Sequence, residues 1–288
     1  MQNKTILILG GTGFIGRSLF DYFSSKGSNV YAPTRQELNL LSRDRCREYL
    51  KQHQPDIVIF SVVNVASVEE SLKTFHNVIS LREFYGRMIC FGSGAEYNPN
   101  SYTPLMDETK ALNSYPESGY ALAKFLIGRE IDFGPCDNII NLRLFGVFGE
   151  YENYTRRFIS NSICRVLSGL PLTINRDMKF DYIYISDLCQ VVEKIIVKDT
   201  LQSKSYNFCS GQPLKLSCIA DKISRIMHYD GPIIIKEKGF NPEYSGNPNK
   251  LLKEIEPFSF SEIDKSIQHM VSFFTNKFEH CSDYVIME

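Results

Sequence analysis

Two side chains that could take part in proton transfer lie four residues apart in the segment Tyr120-Ala-Leu-Ala-Lys124. Residues at this spacing share one face of a helix, so the phenol and the ammonium group are expected to be neighbours. A free tyrosine has a pKa of about 10 and is a poor acid–base catalyst at neutral pH. A neighbouring lysine favours the phenolate and lowers the pKa of such a phenol, which makes proton transfer feasible. We therefore predict that Tyr120 and Lys124 form a catalytic pair.

The surrounding sequence distinguishes this pair from Tyr22 and Lys26, which have the same spacing. We interpret Tyr22 and Lys26 as structural, because they lie on a helix that directly follows a glycine turn. Upstream of Tyr120, an apolar strand-like run ends in Gly92-Ser93-Gly94. Ser93 is therefore expected at the carboxyl edge of a sheet, where it could donate a hydrogen bond to the oxygen that Tyr120 would protonate.

A predicted strand, Lys4–Leu9, leads directly into the turn Gly10-Gly-Thr-Gly13-Phe-Ile-Gly16. Gly10 permits the tight turn, Gly13 leaves room for phosphates, and Gly16 lets the next helix lie close to the strand. The N–H groups at the start of that helix, which we predict over residues 17–25, point at the same anion. The pattern predicts a dinucleotide site. Its predicted cofactor-binding residues are Gly10, Thr12, Gly13, Phe14, Ile15, Gly16, Arg17 and Arg35.

The first half of the chain alternates strand-like apolar runs with helix-like spacing. Runs rich in Ile and Val with little alternation are typical of parallel strands buried on both faces. We predict an α/β fold with a doubly wound parallel sheet, a Rossmann domain over residues 1–150. A further strand and helix are expected to return to it around residues 180–200. The rest of 151–288 is predicted to be mostly a smaller, discontinuous α/β lobe for substrate binding.

Composition excludes several functions. A net charge of -1 argues against a nucleic-acid partner, and no apolar run approaches membrane-spanning length. The eight cysteines are scattered without a CxxC pair, which favours reduced thiols over a metal site. Met1 lies only three residues before the first predicted strand, so we expect no signal peptide and a cytoplasmic location.

The glycine turn, Ser93 and the Tyr120/Lys124 pair together resemble the extended short-chain dehydrogenase/reductases, over roughly residues 4 to 225. The GxxGxxG spacing is similar to that of the nucleotide-sugar epimerase, dehydratase and reductase branch, as are the segments 142–149, 180–187 and 207–211. The resemblance implies that Tyr120 is the acid/base and that Lys124 holds the nicotinamide ribose. It also implies that Ser93 polarises the sugar oxygen and that the protein is a homodimer.

The end of the second predicted strand bears on the cofactor. An acidic residue there would bind the adenosine 2′-hydroxyl and repel a phosphate. The strand instead ends in Thr34-Arg35, with no carboxylate before Glu37. Arg35 could pair with a 2′-phosphate, and Arg17 could add a second contact. We therefore expect NADP(H) as the preferred cofactor, with NAD(H) left open.

The two residues after Ser93 limit the types of reaction that the site could catalyse. Dehydratases of this branch carry an acidic pair there, and epimerising members can carry a cysteine two residues after the serine. Here the positions are Gly94 and Ala95. We therefore predict NADPH-dependent reduction of the 4-keto group of a nucleotide-linked 4-keto-6-deoxy sugar. An NAD-dependent C4-epimerase and a non-catalytic NADP(H)-binding regulatory protein remain the alternatives.

The substrate side departs from the family pattern. Many members hold the nucleotide phosphates with an Asn and an Arg at the positions of Gly146 and Phe180. The loop from Phe240 to Pro248 could close over the sugar. The nucleotide and the sugar stay open. The basic residues that could replace the missing contacts are Arg156, Arg157, Arg176 and Lys179.

Overall fold

The computed structural model describes residues 4–111, 114–117, 119–135 and 137–280, with side chains in the last helix described as far as Lys277. Its strands, in chain order, are β1 (Thr5–Leu9), β2 (Asn29–Tyr31), β3 (Ile57–Phe60), β4 (Arg87–Ser93), β5 (Ile139–Leu144), β6 (Gly146–Phe148), β7 (Leu172–Asp177), β8 (Lys179–Phe180), β9 (Tyr182–Tyr184), β10 (Ser205–Phe208), β11 (Leu214–Lys215) and β12 (Ile233–Phe240). Its α-helices are α1 (Phe14–Ser25), α2 (Arg43–His53), α3 (Val68–Ile79), α4 (Gly119–Phe133), α5 (Phe158–Leu167), α6 (Ile185–Val197), α7 (Leu216–Ile226), α8 (Asn249–Ile255) and α9 (Ile263–His280).

The central sheet has six strands in the order β10-β5-β4-β3-β1-β2, and neighbouring strands are parallel. Strand β1 lies between β2 and β3, so the first two crossovers lead to opposite sides of β1. In such sheets, ligands bind outside the carboxyl ends of the strands at this reversal. The glycine turn follows β1 directly and therefore lies at that position. The predicted doubly wound fold is confirmed.

Helices cover both faces of this sheet, because its central strands are apolar on both sides. Every residue of β3 and β5 is buried. On one face of the sheet, Leu19 and Phe23 of α1 pack together with α6. The opposite face is covered by α2, α3 and α4 through the buried side chains of Leu50, Phe75 and Ile127. Burying one such side chain contributes about 1.5–3 kcal/mol. The sheet is therefore a rigid support for the loops at its carboxyl edge.

The second half of the chain adds a smaller lobe and also completes the sheet. Helices α5, α7 and α9 pack together beside the two-stranded pairs β7–β12, β8–β11 and β6–β9. Helix α6 and strand β10 return to the central sheet, where β10 pairs with β5. These two elements span residues 185–208.

The start of α9 differs from what its local sequence indicates. The segment Ser261-Glu-Ile-Asp264 is typical of a capping box, but α9 begins at Ile263. The Ser261 hydroxyl and N–H instead donate to the two carboxylate oxygens of Asp187, at 2.6 and 3.0 Å. A buried carboxylate on α6 requires hydrogen-bond donors, whereas water can accept from the N–H groups of an exposed helix end. One face of α9 is apolar and buried through Ile267, Met270 and Phe274.

Candidate active site

The turn after β1 is held by contacts that only glycine permits. Gly10 has a φ of 90°, and a Cβ there would lie 2.8 Å from the carbonyl oxygen of Ser61. A Cβ at Gly16 would lie 2.2 Å from the Gly10 carbonyl oxygen, so α1 packs closely on the turn. Gly13 immediately precedes Phe14, the first residue of α1 and three positions before the predicted start. The free N–H groups and positive dipole end of α1 therefore begin at the turn itself.

A cavity of about 410 Å³ opens beside the turn. Its lining includes Gly10 and Thr12 from the turn, Arg35 from the segment after β2, and Asn64 from the segment after β3. Leu38 contributes to an apolar wall. This volume lies within the range of about 300–1,000 Å³ of small-molecule sites. The residues present therefore fit the adenosine half of a dinucleotide.

The two predicted cofactor arginines lie in different surroundings. Arg35 is exposed at the cavity. Arg17 stacks over the ring of Tyr151, 4.1 Å from its centroid, and does not line the cavity. The nearby carboxylate of Glu37 accepts the Thr34 N–H at 2.7 Å, and this hydrogen bond lowers the pKa of Glu37. Among the described residues that line the cavity, Arg35 is thus the cation available to a bound group.

Ser93 is fixed at the carboxyl end of β4 by a local capping box. Its hydroxyl oxygen accepts the N–H of Ala95 at 3.1 Å, while its own N–H donates to Glu96 Oε1 at 3.0 Å. These bonds close a 3-10 turn over Gly94–Glu96. Ser93 is 7% exposed, so little movement of its side chain is possible. The hydroxyl hydrogen of Ser93 is left to donate to a further acceptor.

The Glu96 carboxylate is completely buried and is shared between this turn and Arg143. Arg143 Nε donates to Glu96 Oε2 at 2.6 Å, and Arg143 Nη2 donates to Asp132 at 2.9 Å. Burial alone would lower the pKa of Arg143, but the charges of these two carboxylates raise it above its usual value. A Cβ at Gly92 or Gly128 would lie 2.1 or 2.4 Å from the Glu96 carboxylate. Glu96 therefore stabilises the carboxyl end of β4 by bonding both to the Ser93 N–H and to Arg143.

The predicted pair Tyr120 and Lys124 lies on the first two turns of α4. Lys124 is 4% exposed, and its Nζ donates to the carbonyl oxygen of Phe91 at 2.5 Å. Phe91 belongs to β4 and precedes Ser93 by two residues. The buried ammonium group thus lies against the end of the strand that carries Ser93. Tyr120, one turn earlier, is partly exposed.

A second phenol, Tyr244, lies near the carboxyl end of β4. It belongs to the segment from Phe240 to Pro248, which could close over the sugar according to the sequence. Burial raises the pKa of Tyr244 above its ordinary range, the charge interaction with Tyr120 raises it further, and hydrogen bonding with Ser93 lowers it. The Tyr244 hydroxyl lies beside the strand end, because a Cβ on Gly94, the residue after Ser93, would lie 2.5 Å from it. Local sequence carries no signal of this approach, because Tyr244 is remote from Gly94 along the chain.

Gly146 and Phe180, the two departures from the family pattern, belong to one arrangement. A Cβ at Gly146 would lie 2.5 Å from the Phe180 ring and 2.2 Å from the carbonyl oxygen of Asp181. An asparagine at residue 146 could not coexist with this ring position. The Phe180 ring stacks on Tyr244, with centroids 4.9 Å apart. An aromatic contact therefore replaces the usual polar pair.

The candidate phosphate-binding residues differ in their surroundings. Arg176 and Lys179 each face a glutamate, at 2.5 and 3.7 Å. Arg157 is exposed directly before α5, and its charge lowers the pKa of both Tyr244 and Glu152. Burial is nevertheless the largest effect on Glu152 and raises its pKa to about 7. Of Arg157, Arg176 and Lys179, Arg157 is thus the one whose charge influences Tyr244 and Glu152.

Two other features of the sequence have structural explanations. The Tyr22 hydroxyl and Lys26 Nζ both donate to Glu193 of α6 at 2.5 Å, which ties α1 to α6. Within the described residues, no helix combines the length and apolarity needed to cross a membrane. No cluster of three or more His, Cys, Asp or Glu side chains in those same segments could hold a metal ion.

The doubly wound sheet, the glycine turn at its reversal and the Ser, Tyr and Lys side chains near β4 define a class. The protein is an NAD(P)-dependent oxidoreductase of the extended short-chain dehydrogenase/reductase type. The model of the NAD dependent epimerase/dehydratase family matches residues 6–209, and the chain belongs to that family.

Several similar proteins have names that refer to GDP-sugars, and others have names that refer to CDP- or UDP-sugars. GDP-L-colitose synthase from Yersinia pseudotuberculosis is 21% identical, with 94% of this chain and 98% of that protein covered. GDP-L-fucose synthetase from Naegleria fowleri, solved with NADP, has a TM-score of 0.82 at 15% identity, covering 98% of this chain and 97% of the other. GDP-mannoheptose C4 reductase from Campylobacter jejuni, also solved with NADP, has a TM-score of 0.78 at 21% identity, covering 96% and 99%.

Proposed function

We propose that the protein uses NADPH to reduce the 4-keto group of a nucleotide-linked 4-keto-6-deoxy sugar. The observation that carries this proposal is the composition of the strand end. Ser93 ends β4, Lys124 donates to Phe91 of the same strand, and Tyr120 lies one turn before Lys124 on α4, while Gly94 and Ala95 after Ser93 have no acid or thiol. Such a site supports hydride transfer with proton donation, and it lacks at those positions the groups for dehydration or epimerisation.

Each side chain has a definite task in this reaction. Bound NADPH would supply the hydride to C4. Tyr120 would give its proton to the C4 oxygen, and Ser93 would donate a hydrogen bond to the same oxygen. Lys124, already buried beside the strand end, would hold the nicotinamide ribose and stabilise the phenolate that Tyr120 leaves behind.

The preference for NADPH is supported by the cavity beside the glycine turn. Arg35 is exposed there, and a guanidinium group can pair with a 2′-phosphate through two hydrogen bonds. The Glu37 carboxylate, which could favour NAD, is instead bonded to the Thr34 backbone. The NADP found in the Naegleria and Campylobacter relatives agrees with this proposal.

For the substrate, we propose a guanosine diphosphate sugar with its diphosphate near Arg157. The named relatives that act on GDP-sugars support the nucleotide. The exposed position of Arg157 before α5, and its effect on the pKa of Tyr244, support the contact. The sugar would then extend from Arg157 past Tyr244 toward Ser93.

The test is NADPH consumption with GDP-, UDP-, CDP- and dTDP-linked 4-keto-6-deoxy sugars. We expect turnover with the GDP-sugar. Tyr120→Phe should lower kcat by about 100-fold or more, as expected for loss of a general acid. Tyr22→Phe is the matched control, since it changes the other Tyr–Lys pair of the same spacing, and its kcat should equal that of wild type. No NADPH consumption with any sugar, or an active Tyr120→Phe variant, would refute the proposal.

A further inference from the structure

Asn207 is a completely buried amide on β10, the strand at one edge of the central sheet. Its N–H donates to Glu108 Oε1 at 2.9 Å, and its Nδ2 donates to the carbonyl oxygen of Met106 at 2.9 Å. Its Oδ1 accepts the hydroxyl of Tyr97 at 2.7 Å. Asn207 therefore joins the edge of the sheet to two segments that lie far away along the chain.

Tyr97 connects this amide to the turn that carries Ser93. It directly follows the 3-10 turn Gly94–Glu96, and its N–H donates to the carbonyl oxygen of Gly94 at 3.3 Å. The Tyr97 side chain is buried, and its ring lies edge-on to the ring of Tyr102, with centroids 6.2 Å apart. The Tyr97 ring is therefore held beside the Ser93 turn, where its hydroxyl reaches the amide.

Met106, which accepts the Nδ2 of Asn207, is bonded to a loop from the second half of the chain. The Met106 N–H donates to the carbonyl oxygen of Ser245 at 3.0 Å, and the Met106 carbonyl oxygen accepts the N–H of Asn247 at 3.0 Å. The Leu105 N–H donates to Ser245 Oγ at 2.8 Å, and Ser245 is completely buried. Segments 105–106 and 245–247 thus form one bonded unit, which Asn207 holds.

This bonded unit returns to the strand end through Tyr244, the residue directly before it. The Tyr244 ring stacks on the Tyr102 ring with centroids 5.6 Å apart, and its hydroxyl lies 2.5 Å from where a Cβ on Gly94 would be. The contacts therefore form a closed circuit, which leaves the turn after Ser93, passes through Asn207 and the bonded unit, and ends at the same turn. The proposed path of the sugar toward Ser93 passes Tyr244, so this circuit borders that path.

We propose that Asn207 is a positioning residue of the active site, which fixes the bonded unit of segments 105–106 and 245–247 against the turn that carries Ser93. Because Asn207 is completely buried, it acts through these segments and through Tyr97 rather than by touching the sugar. A buried amide with all of these bonds made favours one arrangement of its partners, since any other arrangement leaves a polar group unpaired. The segments are thereby preorganised before the sugar binds. This inference rests on the proposed ketoreductase function.

The cavity beside the glycine turn provides an internal reference for the test. Strand β10 is separated from β1 and its glycine turn by β5, β4 and β3. A disturbance at Asn207 should therefore weaken sugar binding while leaving the affinity for NADPH unchanged. A general loss of folding would weaken both.

The test is Tyr97→Phe, which keeps the buried ring and removes only the hydroxyl that Asn207 accepts, assayed with the keto sugar that the wild-type protein turns over. We expect KM for the sugar to rise about 10-fold, because the loosened segments must be reordered on binding. The kcat and the Kd of NADPH should stay within about threefold of wild type, since neither the reacting groups nor the cofactor cavity is changed. Asn207→Ala should raise KM further, and the double variant should be no worse than Asn207→Ala alone, because the hydroxyl acts through the amide. If Asn207→Ala does not fold, Tyr97→Phe and its control decide the question.

The matched control is Tyr206→Phe, which removes a similarly buried hydroxyl from the residue before Asn207 on β10. The Tyr206 hydroxyl donates to Glu254 Oε1 at 2.8 Å and accepts the N–H of Ser203 at 2.8 Å. Successive side chains of a strand point to opposite faces, so this hydroxyl lies away from the bonded unit. The KM of Tyr206→Phe should stay within about twofold of wild type.

The outcomes separate the two proposals. If the KM of Tyr97→Phe matches that of wild type, or rises no more than that of Tyr206→Phe, the role of Asn207 is refuted and the proposed function stands. An equal loss of affinity for NADPH would also refute this role, because the fold as a whole would then be affected. Losses that multiply in the double variant would refute it as well, since Tyr97 and Asn207 would act independently. A wild-type protein without reductase activity would overturn both proposals.

Discussion

The buried pair between Glu96 and Arg143 gives the most direct test of what holds the strand end. Glu96→Gln keeps the size of the side chain and an oxygen that can accept the Ser93 N–H. It removes the negative charge that faces Arg143 Nε at 2.6 Å. Arg143, whose side chain is 1% exposed, would be left with Asp132 as its carboxylate partner, whose side chain is 22% exposed. The variant therefore removes the negative charge of residue 96 while keeping the shape of its side chain.

The expected loss in the free energy of unfolding follows from the burial of the ion pair. Breaking a fully buried ion pair by removing one partner costs about 3–5 kcal/mol. The remaining Asp132 offsets part of this, although the amide NH₂ of the new side chain then faces the Arg143 N–H donor, so we expect the free energy of unfolding to fall by about 3 kcal/mol. That is a large fraction of the roughly 5–15 kcal/mol that stabilises a typical domain.

Urea unfolding at pH 7, followed by circular dichroism, measures this free energy. Glu130→Gln is the control, because Glu130 forms a partly exposed pair with His76 at 3.4 Å and should cost at most about 1 kcal/mol. A loss below about 1 kcal/mol in Glu96→Gln, equal to that of the control, would contradict the account. Glu96 would then not be the group that stabilises Arg143 and the turn after Ser93.

Three further predictions concern the cofactor, pH and packing. Arg35→Gln should weaken NADPH binding about 10- to 100-fold without changing NADH binding, as measured by fluorescence titration. The control variant Arg45→Gln, at an exposed position of α2, should change the binding of neither cofactor. Equal effects of Arg35→Gln on both cofactors would refute the contact with the 2′-phosphate. Because the pKa of Glu152 is raised from 4.5 to about 7, stability should fall as pH rises between these values, by about 3 kcal/mol at most. Urea unfolding at pH 5 to 8 should show that the free energy of unfolding of Glu152→Gln falls less with pH than that of wild type. An unchanged pH dependence in this variant would contradict the raised pKa of Glu152. Gly146→Ala should lower the free energy of unfolding by about 1–3 kcal/mol, since its Cβ meets the backbone of Asp181, and a neutral effect in urea unfolding would argue against this packing.

The central sheet and the position of Ser93 were predictable from local sequence. Buried parallel strands leave continuous Ile and Val runs, and the run before Ser93 ends where β4 ends. The spacing of Tyr120 and Lys124 likewise needs only the geometry of one helix. In each case, the property lies within one element and its direct neighbours.

Features that depend on contacts between distant segments were not predictable. Ser261 bonds to Asp187 on another helix, although its local sequence indicates a cap. The Tyr244 hydroxyl reaches Gly94 from a loop in the second half of the chain, and only the packed structure shows that the absence of a side chain at Gly94 makes room for it. The sequence pattern also treats Arg17 and Arg35 alike, whereas in the structure Arg35 alone lines the cavity.

The measurement that tests the central claim most directly is transfer of deuterium from NADPH labelled at the hydride position of the nicotinamide. The wild-type protein would be incubated with labelled NADPH and a GDP-linked 4-keto-6-deoxy sugar, and the product examined by NMR and mass spectrometry. We predict one deuterium at C4 of the sugar for each NADP⁺ formed. A converted sugar without deuterium and without net NADP⁺ would show that the site rearranges the keto sugar without reducing it, which would contradict net reduction.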